Sequence, residues 1–454
     1  MSDQPSVFAG RFYPLDPDAL RSDIERHLSA VRQSLPEDLP GARVVIAPHA
    51  GYRYCMGLMA RAFARMPSDL SRLLVISPSH RHRFDGLAIP AAERYATPLG
   101  PVPLDQKICS ALSKDGVHIL PDAFANEHGV EVLLPFVRHI WPSAQIVPLV
   151  CGRGGHRALP ELIDTLMAEP KTGLILSSDL SHFHDAEAAK RLDDEASRRI
   201  ETAELRGFGG EHACGWQGIG GWLLSDLGQR YMPVRLGRHH SGDITGESER
   251  VVGYGAWAFY DGAAAGLGKA ERAELLRVAR VSLRGQLRKG KAPMIKTPTF
   301  ASPLQTFGAS FVTLTHQGRL RGCIGSLRAQ RPLVEDVAAN GIKSGIHDKR
   351  FRPLQSAQEL EALEVKIAVL SRAAPLRFTD RDDALAKITP GESGLIIEDQ
   401  GKRGTFLPMV WDSLETPDAF LSGLVVKAGL PRGHWSDSVK LWHFRADSFA
   451  ENAG

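Results

Sequence analysis

Three short apolar runs of this chain each lead into a histidine, and they constrain the fold more than any other feature. The runs with their histidines are 44–49, 73–80 and 174–182. A continuous run of branched apolar residues is typical of a strand buried on both faces of a parallel sheet. Because proline or serine ends each run, His49, His80 and His182 are predicted to lie at the carboxyl edge of one sheet, where α/β proteins bind ligands. With the carboxylate of Asp179 at the same edge, the pattern indicates a metal site.

The alternation of elements predicts two domains. Residues 1–262 alternate apolar strands with helical stretches, which predicts a layered α/β domain with a mainly parallel sheet. The small, glycine-rich segment 261–268 is predicted to be a linker. Residues 268–454 mix helical and strand patterns, which predicts an α+β domain. Further predicted strands are 146–150, 251–260, 309–315, 320–324, 363–370 and 394–398, and predicted helices are 56–66, 105–113, 157–168, 185–204, 270–286, 332–345 and 417–428.

Composition narrows the class of protein. Charged residues make up 24% of the 454 residues and the net charge is +3, which is no signature of a nucleic-acid or membrane-surface binder. No apolar run approaches the ~20 residues of a membrane helix. Five cysteines form an odd, sparse set that fits a reducing compartment. We therefore expect a cytoplasmic protein that acts on a small molecule, without membrane or nucleic acid as a partner.

Two further positions in the first domain carry groups suited to chemistry. Glu127 and His128 stand side by side, as a general base and its orienting partner would; helix capping at the surface is the alternative. Their spacing is not His-Glu-x-x-His, which excludes a zincin helix. Cys214 precedes a predicted helix, whose dipole favours the thiolate, and a small buried cysteine is the alternative. Asp179 and His182 are three residues apart and are predicted to face a common point.

Two glycine-rich segments have weaker functional interpretations. In 319–327, Arg321 and Cys323 lie among glycines that would let a ligand approach the backbone; a β-bulge with a packed cysteine is the alternative. The turn 151–156 would suit a phosphate at a helix start, but it lacks the Lys-Ser/Thr of a P-loop. A plain turn is the favoured interpretation there.

Taken in order, the motifs of the first domain resemble those of the Memo family, also called AmmeMemoRadiSam system protein B. The matching segments are 8–14, 47–52, 77–80, 127–128, 178–182 and 214–215. The second half resembles AmmeMemoRadiSam system protein A, through Leu-Arg-Gly-Cys-Ile-Gly at 320–325 and the segments 348–354 and 404–408. The chain thus resembles a fusion of the two proteins.

The resemblance implies a fold and a metal site. The Memo family is similar in fold to class III extradiol dioxygenases, which use non-haem Fe(II). In the family two histidines and a cysteine bind iron or copper, and the matching positions are His49, His80 and Cys214, with Asp179 and His182 close by. A thiolate in place of a carboxylate departs from the usual facial triad and suits Cu(I), zinc or Fe(II). The system's name also implies a radical SAM partner, whose cluster would sit on another polypeptide because this chain has no Cys-x3-Cys-x2-Cys triplet.

These observations predict a metal-dependent oxidoreductase acting on an unknown small molecule together with a radical SAM protein. Fe(II) or copper, with zinc possible, would be held by the two histidines and the cysteine. The groups expected to move or orient protons are His182, Asp179, Glu127 and His128. In the second domain, Arg321 and Cys323 are the candidates for binding substrate or passing it on.

Two other functions stay open at this stage. One is a binding module without catalysis, whose pocket recognises a phosphorylated ligand or peptide. The other is a metal-assisted hydrolase, which needs a zinc-activated water and an adjacent base.

Overall fold

The computed structural model describes residues 3–451, which fall into two compact units. Unit 1 comprises the residues up to Gly228 together with Pro233–Tyr260, and unit 2 comprises Gln229–Met232 and the residues from Asp261 onward. No helix within the described range is both long and apolar enough to cross a lipid bilayer.

Strands and helices alternate along the first 260 residues. The strands are β1 (Asp3–Gln4), β2 (Val44–Ala47), β3 (Arg72–Pro78), β4 (Leu87–Ile89), β5 (Arg94–Tyr95), β6 (Val102–Pro103), β7 (His118–Ile119), β8 (Gln145–Cys151), β9 (Thr172–Ser177), β10 (His182–His184), β11 (Met232–His240) and β12 (Val251–Tyr260). The helices are α1 (Pro17–Arg32), α2 (Tyr52–Phe63), α3 (Gln106–Lys114), α4 (His128–Glu131), α5 (Leu134–Ile140), α6 (Leu159–Met167), α7 (Ala186–Thr202), α8 (Trp216–Leu224), α9 (Asp226–Arg230) and α10 (Gly242–Thr245).

A nine-stranded sheet organises unit 1. Its path runs β10-β12-β2-β9-β3-β8-β4-β7, and β11 pairs with β12. The central strands β2, β9, β3 and β8 are mutually parallel, and their continuous apolar sequences are buried on both faces. The strands β12 and β4 pair antiparallel with the two sides of this centre. The predicted α/β class is therefore confirmed, but the sheet is mixed, and its parallel pairing, predicted to dominate, is concentrated in the centre.

Unit 2 is built on two antiparallel sheets. Its strands are β13 (Phe307–His316), β14 (Arg319–Gly325), β15 (Arg331–Pro332), β16 (Glu364–Leu370), β17 (Ala374–Leu376), β18 (Gly394–Asp399), β19 (Lys402–Phe406), β20 (Lys440–Phe444) and β21 (Ala446–Ala450). Its helices are α11 (Lys269–Lys289), α12 (Ser302–Gln305), α13 (Leu333–Ile346), α14 (Ala357–Glu361), α15 (Arg381–Ala386) and α16 (Pro417–Lys427). The sheet orders are β14-β13-β16-β21, with β15 pairing β13, and β17-β20-β18-β19.

Each sheet of unit 2 has its own core. Apolar residues of α11 and α13 pack with β13 and β16 in the first core. Residues of α16 pack with β18 and β20 in the second. Helices set on antiparallel sheets confirm the predicted α+β character of this part of the chain.

Candidate metal centre

Neighbouring parallel strands bring the candidate residues of unit 1 together. His49 follows β2 by two residues and His80 follows β3 by two residues. Asp179 follows β9, which lies between β2 and β3 in the sheet. Because parallel strands end at the same edge, all three residues leave the sheet on one side. The ring centroids of His49 and His80 are 5.0 Å apart.

The side chain of His49 is fixed in one orientation by Ser177, the last residue of β9. His49 is fully buried, and its Nδ1 lies 2.7 Å from the hydroxyl oxygen of Ser177. That hydroxyl donates its own hydrogen to the carbonyl of Gly129, so it must accept the proton of His49 Nδ1. The other ring nitrogen, Nε2, is therefore left with a lone pair. It lies 3.4 Å from Sγ of Cys214.

His80 is oriented in the same way by a carboxylate. Its Nδ1 donates to Oε1 of Glu127 at 2.7 Å, and its backbone N–H donates to Oε2 at 2.7 Å. Burial alone would lower the pKa of His80, but hydrogen bonds to Cys214 and Glu127 outweigh it and raise the pKa to about 10. Glu127 also caps α4 by accepting the N–H of Gly129 at 2.8 Å. Glu127 thus caps the helix, as the alternative interpretation has it, but it is buried rather than at the surface, and it also orients a histidine.

Cys214 is held against the loop that carries Asp179. The N–H of Asp179 donates to Sγ at 3.2 Å, and the N–H of Cys214 donates to the carbonyl of Asp179 at 3.2 Å. Gly215 permits this close approach, because a Cβ there would lie 2.4 Å from the carbonyl oxygen of Ser177. The thiol is therefore positioned by backbone contacts.

His128 joins the cluster as a third nitrogen donor. One ligand atom from each of His49, His80 and His128 lies within 4.8 Å of the others. The ring of His128 stacks on that of His80 at 4.3 Å. Burial and the neighbouring His80 lower the pKa of His128 to about 4, so its imidazole is neutral near pH 7. The sequence interpretation assigned His128 only an orienting role; no local pattern indicated that its ring would lie at donor distance.

Asp179 and His182 lie beside this cluster, as their spacing predicts. Oδ2 of Asp179 is 4.0 Å from Nε2 of His49, and Oδ1 accepts the backbone N–H of His49 at 2.9 Å. Burial raises the pKa of Asp179 to about 7, although the hydrogen bond from His49 favours the charged form. Burial also lowers the pKa of His182. Both groups are thus tuned toward neutral forms.

A cavity of about 770 Å³ opens beside the cluster. Its wall includes His128, Asp179 and His182 on one side. Aromatic and cationic residues complete much of the wall, among them Phe12, Tyr13, Tyr52, Tyr54, Tyr254, Arg11 and Arg53. The volume is within the range of small-molecule sites.

A buried carboxylate fastens the N-terminal segment over this cavity. Glu131 accepts the backbone N–H of Phe8 at 2.7 Å and the hydroxyl of Tyr13 at 2.7 Å. Phe12 then lies with its ring centroid 5.2 Å from that of His128. This contact explains physically why the segment 8–14 belongs to the site, and Glu131 is a positioning residue that the sequence interpretation missed.

The candidates of unit 2 have separate partners. Thr313 on the adjacent strand donates its hydroxyl to Sγ of Cys323 at 3.3 Å. The backbone N–H of Cys323 donates to Asp348 at 2.8 Å, and Arg350 donates to the Cys323 carbonyl at 3.0 Å. Arg321 lies 4.0 Å from a carboxylate oxygen of Glu359. Within the described residues, the cluster of potential metal ligands consists of His49, His80 and His128, and it includes neither Cys323 nor Cys214.

Comparison with known families assigns both parts of the chain. Residues 4–258 match the model of the Memo-like protein family, which covers more than half of the chain. The chain belongs to the Memo family. Residues 276–449 match the AMMECR1 family, so the Memo-like domain is fused to an AMMECR1 domain. The predicted fusion is thereby confirmed.

Several archaeal proteins are similar to parts of this chain. A MEMO1 family protein of Methanothermobacter thermautotrophicus is 30% identical over 273 residues, which cover 55% of this chain and 98% of that protein. A MEMO1 family protein of Methanococcoides burtonii is 31% identical over 268 residues, which cover 56% of this chain and 98% of that protein. Among solved structures, an uncharacterized protein of Pyrococcus horikoshii is 32% identical, with a TM-score of 0.36 and coverage of 39% of this chain and 90% of that one.

Proposed function

We propose that the Memo-like domain is a metal-dependent oxidoreductase whose ion is held by His49, His80 and Cys214. The observation that supports it best is the 3.4 Å approach of His49 Nε2 to the sulfur of Cys214, with both histidine Nδ1 atoms bonded away from the centre. Metal-binding histidines characteristically use the second nitrogen in this way. Imidazole and thiolate ligands suit iron and copper, and zinc also accepts them. A bound iron or copper ion would supply redox chemistry, whereas zinc would supply Lewis acidity alone.

The residues around the donors have distinct roles in this proposal. Ser177 and Glu127 fix the imidazole rings of His49 and His80. Asp179 and His182 border the cavity, where each is placed to hold or move a proton at the edge of a bound molecule. His128 contacts the rings of His49 and His80 and also lines the cavity. Glu127, fully occupied by three hydrogen bonds, acts in positioning rather than in proton transfer.

The cavity favours an anionic substrate with a planar or apolar body. Arg11 and Arg53 line it, and neither has a carboxylate at ion-pair distance among residues 3–451. The guanidinium of Arg53 lies 4.8 Å from the ring centroid of Tyr54, which leaves its hydrogen-bond donors available. Tyrosine rings form the neighbouring wall. A carboxylate or phosphate on an aromatic molecule would match both features.

The same two arginines favour a second candidate function. A pocket with aromatic walls and two uncompensated guanidinium groups would also bind a phosphorylated ligand or peptide without converting it. In that case the metal would be structural or incidental. The two functions differ in whether turnover accompanies binding.

For the AMMECR1 domain we propose a role in binding the substrate or passing it to a radical SAM protein. Its support is the resemblance of the segment 320–325 to the AmmeMemoRadiSam proteins, together with the lack of a cluster-binding cysteine triplet in this sequence. Co-purification of the full chain with the radical SAM protein encoded in the same genome would test the partnership.

Metal analysis after anaerobic purification tests the proposal. We expect about one iron or copper ion per chain, lost in Cys214→Ser because the serine hydroxyl is a poor substitute for a thiolate. Cys109→Ser is the matched control, since this buried cysteine lies on α3 outside the cluster. Oxygen uptake with a panel of catechol-like acids then separates catalysis from binding. Full metal content in Cys214→Ser would contradict the ligand set, and zinc as the sole native metal would contradict the redox function.

A further inference from the structure

A second cavity of unit 1, with a volume of about 840 Å³, lies between the ends of β3 and β8. It is lined by the loop after β3, by the glycine-rich turn 151–156 and by the first residues of α8. We infer that this cavity binds a small molecule carrying a phosphate group. The inference does not depend on the function proposed for the metal centre.

The floor of the cavity is a rigid junction between two loops. The N–H of Gly152 donates to the carbonyl of Gly86 at 2.9 Å, and the N–H of Arg153 donates to that of Phe84 at 2.8 Å. Gly152 is required here, because a Cβ would lie 2.3 Å from the carbonyl oxygen of Phe84. The glycines of this turn therefore serve a close backbone contact, which preserves the shape of the cavity.

Cationic groups on this floor exceed the acidic ones. Arg153 is neutralised by Asp85, to which it donates two hydrogen bonds of 2.7 and 2.9 Å. Arg83 and Arg157 also line the cavity, and neither has an ion-pair partner among the described residues. Two uncompensated guanidinium groups in one concave site are a typical anion-binding arrangement, because each offers several donors to a phosphate.

Imidazole groups and an indole ring complete the cavity. His82 and His156 line it together with Trp216. The rings of His156 and Trp216 lie with centroids 5.3 Å apart, and Nδ1 of His156 is 3.4 Å from the amide oxygen of Gln217. The site therefore offers imidazole nitrogens to an anion and an aromatic ring to the organic part of the ligand. Its volume is that of a small-molecule site.

The cavity lies next to the loops that carry two of the proposed metal ligands, His80 and Cys214. Ser79 lines the cavity and directly precedes His80, and Trp216 lines it two residues after Cys214. A ligand in this cavity would contact the two loops that carry these donors. The arrangement differs from the cavity beside His128, whose wall shares none of these residues.

Calorimetric titration of the full chain, freed of metal by chelation and dialysis, tests the inference. The probes are ADP, inorganic pyrophosphate and adenosine. We expect ADP and pyrophosphate to bind and adenosine to bind at least about tenfold more weakly than ADP. In the double variant Arg83→Ala/Arg157→Ala, binding of ADP should weaken at least about tenfold, because both guanidinium groups are lost.

Two variants control for location and folding. Arg32→Ala, at the exposed end of α1, should bind ADP as the unmodified chain does. Because the cavity beside His128 is itself proposed to accept phosphorylated aromatic molecules, the titrations are repeated in Arg11→Ala/Arg53→Ala, which lacks the cations of that cavity. The ADP binding that depends on Arg83 and Arg157 should persist in this variant. The double variant Arg83→Lys/Arg157→Lys should recover part of the affinity, which separates charge from folding. Absence of binding by ADP and pyrophosphate, or loss of binding in Arg11→Ala/Arg53→Ala instead, would overturn the inference.

Discussion

Each unit of this chain places a cysteine next to a glycine, and the two cysteines have different surroundings. In unit 1, Sγ of Cys214 faces the free nitrogen of His49 and hydrogen-bonds with His80. In unit 2, Sγ of Cys323 meets the hydroxyl of Thr313, and an aspartate and an arginine bind its backbone. The glycines serve the same purpose in both, since each allows a close backbone approach. The two cysteines therefore share a local motif and differ in the groups that surround the sulfur, which is why only Cys214 is proposed as a metal ligand.

The largest effect is expected from removing a buried imidazole of the first unit. His49→Ala should lose most of its metal, because the nitrogen that lies 3.4 Å from the Cys214 sulfur is gone, although His128 remains as a nitrogen donor. Metal content after anaerobic purification is the measurement, and His118→Ala, at an exposed strand position, is the control. If His49→Ala kept one metal ion per chain, His49 would not be a ligand, and the proposed contrast between the cysteine environments of the two units would fail.

A smaller effect is expected where a residue only orients a donor. Glu127→Gln keeps the shape of the side chain but weakens its hydrogen bond with His80. We expect metal affinity to fall about 10- to 100-fold, as is typical when the partner of a metal-binding histidine is altered. Competition with a chromogenic chelator measures it. The control is Glu187→Gln, which alters an exposed ion pair with Arg191 on α7 and should leave metal affinity unchanged. An equal loss of metal affinity in both variants would contradict the orienting role of Glu127.

In the second unit, the glycine rather than the cysteine should matter most. A Cβ at position 322 would lie 2.1 Å from the carbonyl oxygen of Ser344, so Gly322→Ala must displace α13 from β14. We expect local destabilisation of about 1–3 kcal/mol. Amide hydrogen exchange within β13 and β14 measures it. Gly57→Ala in α2, where the added methyl group meets nothing within 4 Å, should not destabilise unit 1.

Replacing the cysteine of unit 2 should have less effect than replacing the glycine. Cys323→Ala removes a weak hydrogen bond from Thr313 and the side-chain interaction of the thiol with Arg350. The same exchange experiment should show a change within about 1 kcal/mol. Metal content should not change. Loss of metal, or of binding to a radical SAM partner, in Cys323→Ala would show that this thiol is functional.

The subtlest difference concerns pH. Hydrogen bonds from the Arg350 guanidinium, strongest among several, hold the pKa of Asp348 well below its usual range despite partial burial. In the unfolded chain the pKa of an aspartate carboxyl is about 3.9. Since the folded pKa is depressed, the stabilisation is complete above that pH and is lost as the pH falls further. Below about pH 4, the free energy of unfolding of unit 2 should therefore depend less steeply on pH in Asp348→Asn than in the unmodified chain. Identical slopes in the two proteins would exclude a contribution of the Asp348–Arg350 interaction to stability.

Local sequence patterns predict most of the helices and strands, because the burial of one or both faces of an element determines where its apolar residues stand. The apolar runs at 44–47 and 73–76 are continuous, and the structure has strands over Val44–Ala47 and Arg72–Pro78. The helix predicted at 56–66 begins earlier, at Tyr52, whose N–H donates to the carbonyl of Phe12 at 2.7 Å. That contact joins distant parts of the sequence, so no local pattern could reveal it.

The difference between local patterns and long-range contacts also explains which site residues the sequence predicts and which it does not. His49 and His80 follow central strands, so their convergence is a consequence of sheet topology. Cys214 is singled out by its place before a predicted helix, and the family resemblance implies that it completes the ligand set. His128 and Ser177 act through contacts made across the fold, and neither has a local sequence signal for its role. The function of each candidate residue stays a prediction until metal binding is measured.

X-ray absorption at the metal edge of the anaerobically purified chain tests the central claim most directly. Our account predicts one sulfur scatterer together with imidazole scatterers, and the loss of that sulfur signal in any residual metal bound by Cys214→Ser. A coordination sphere of nitrogen and oxygen alone, unchanged in Cys214→Ser, would contradict it.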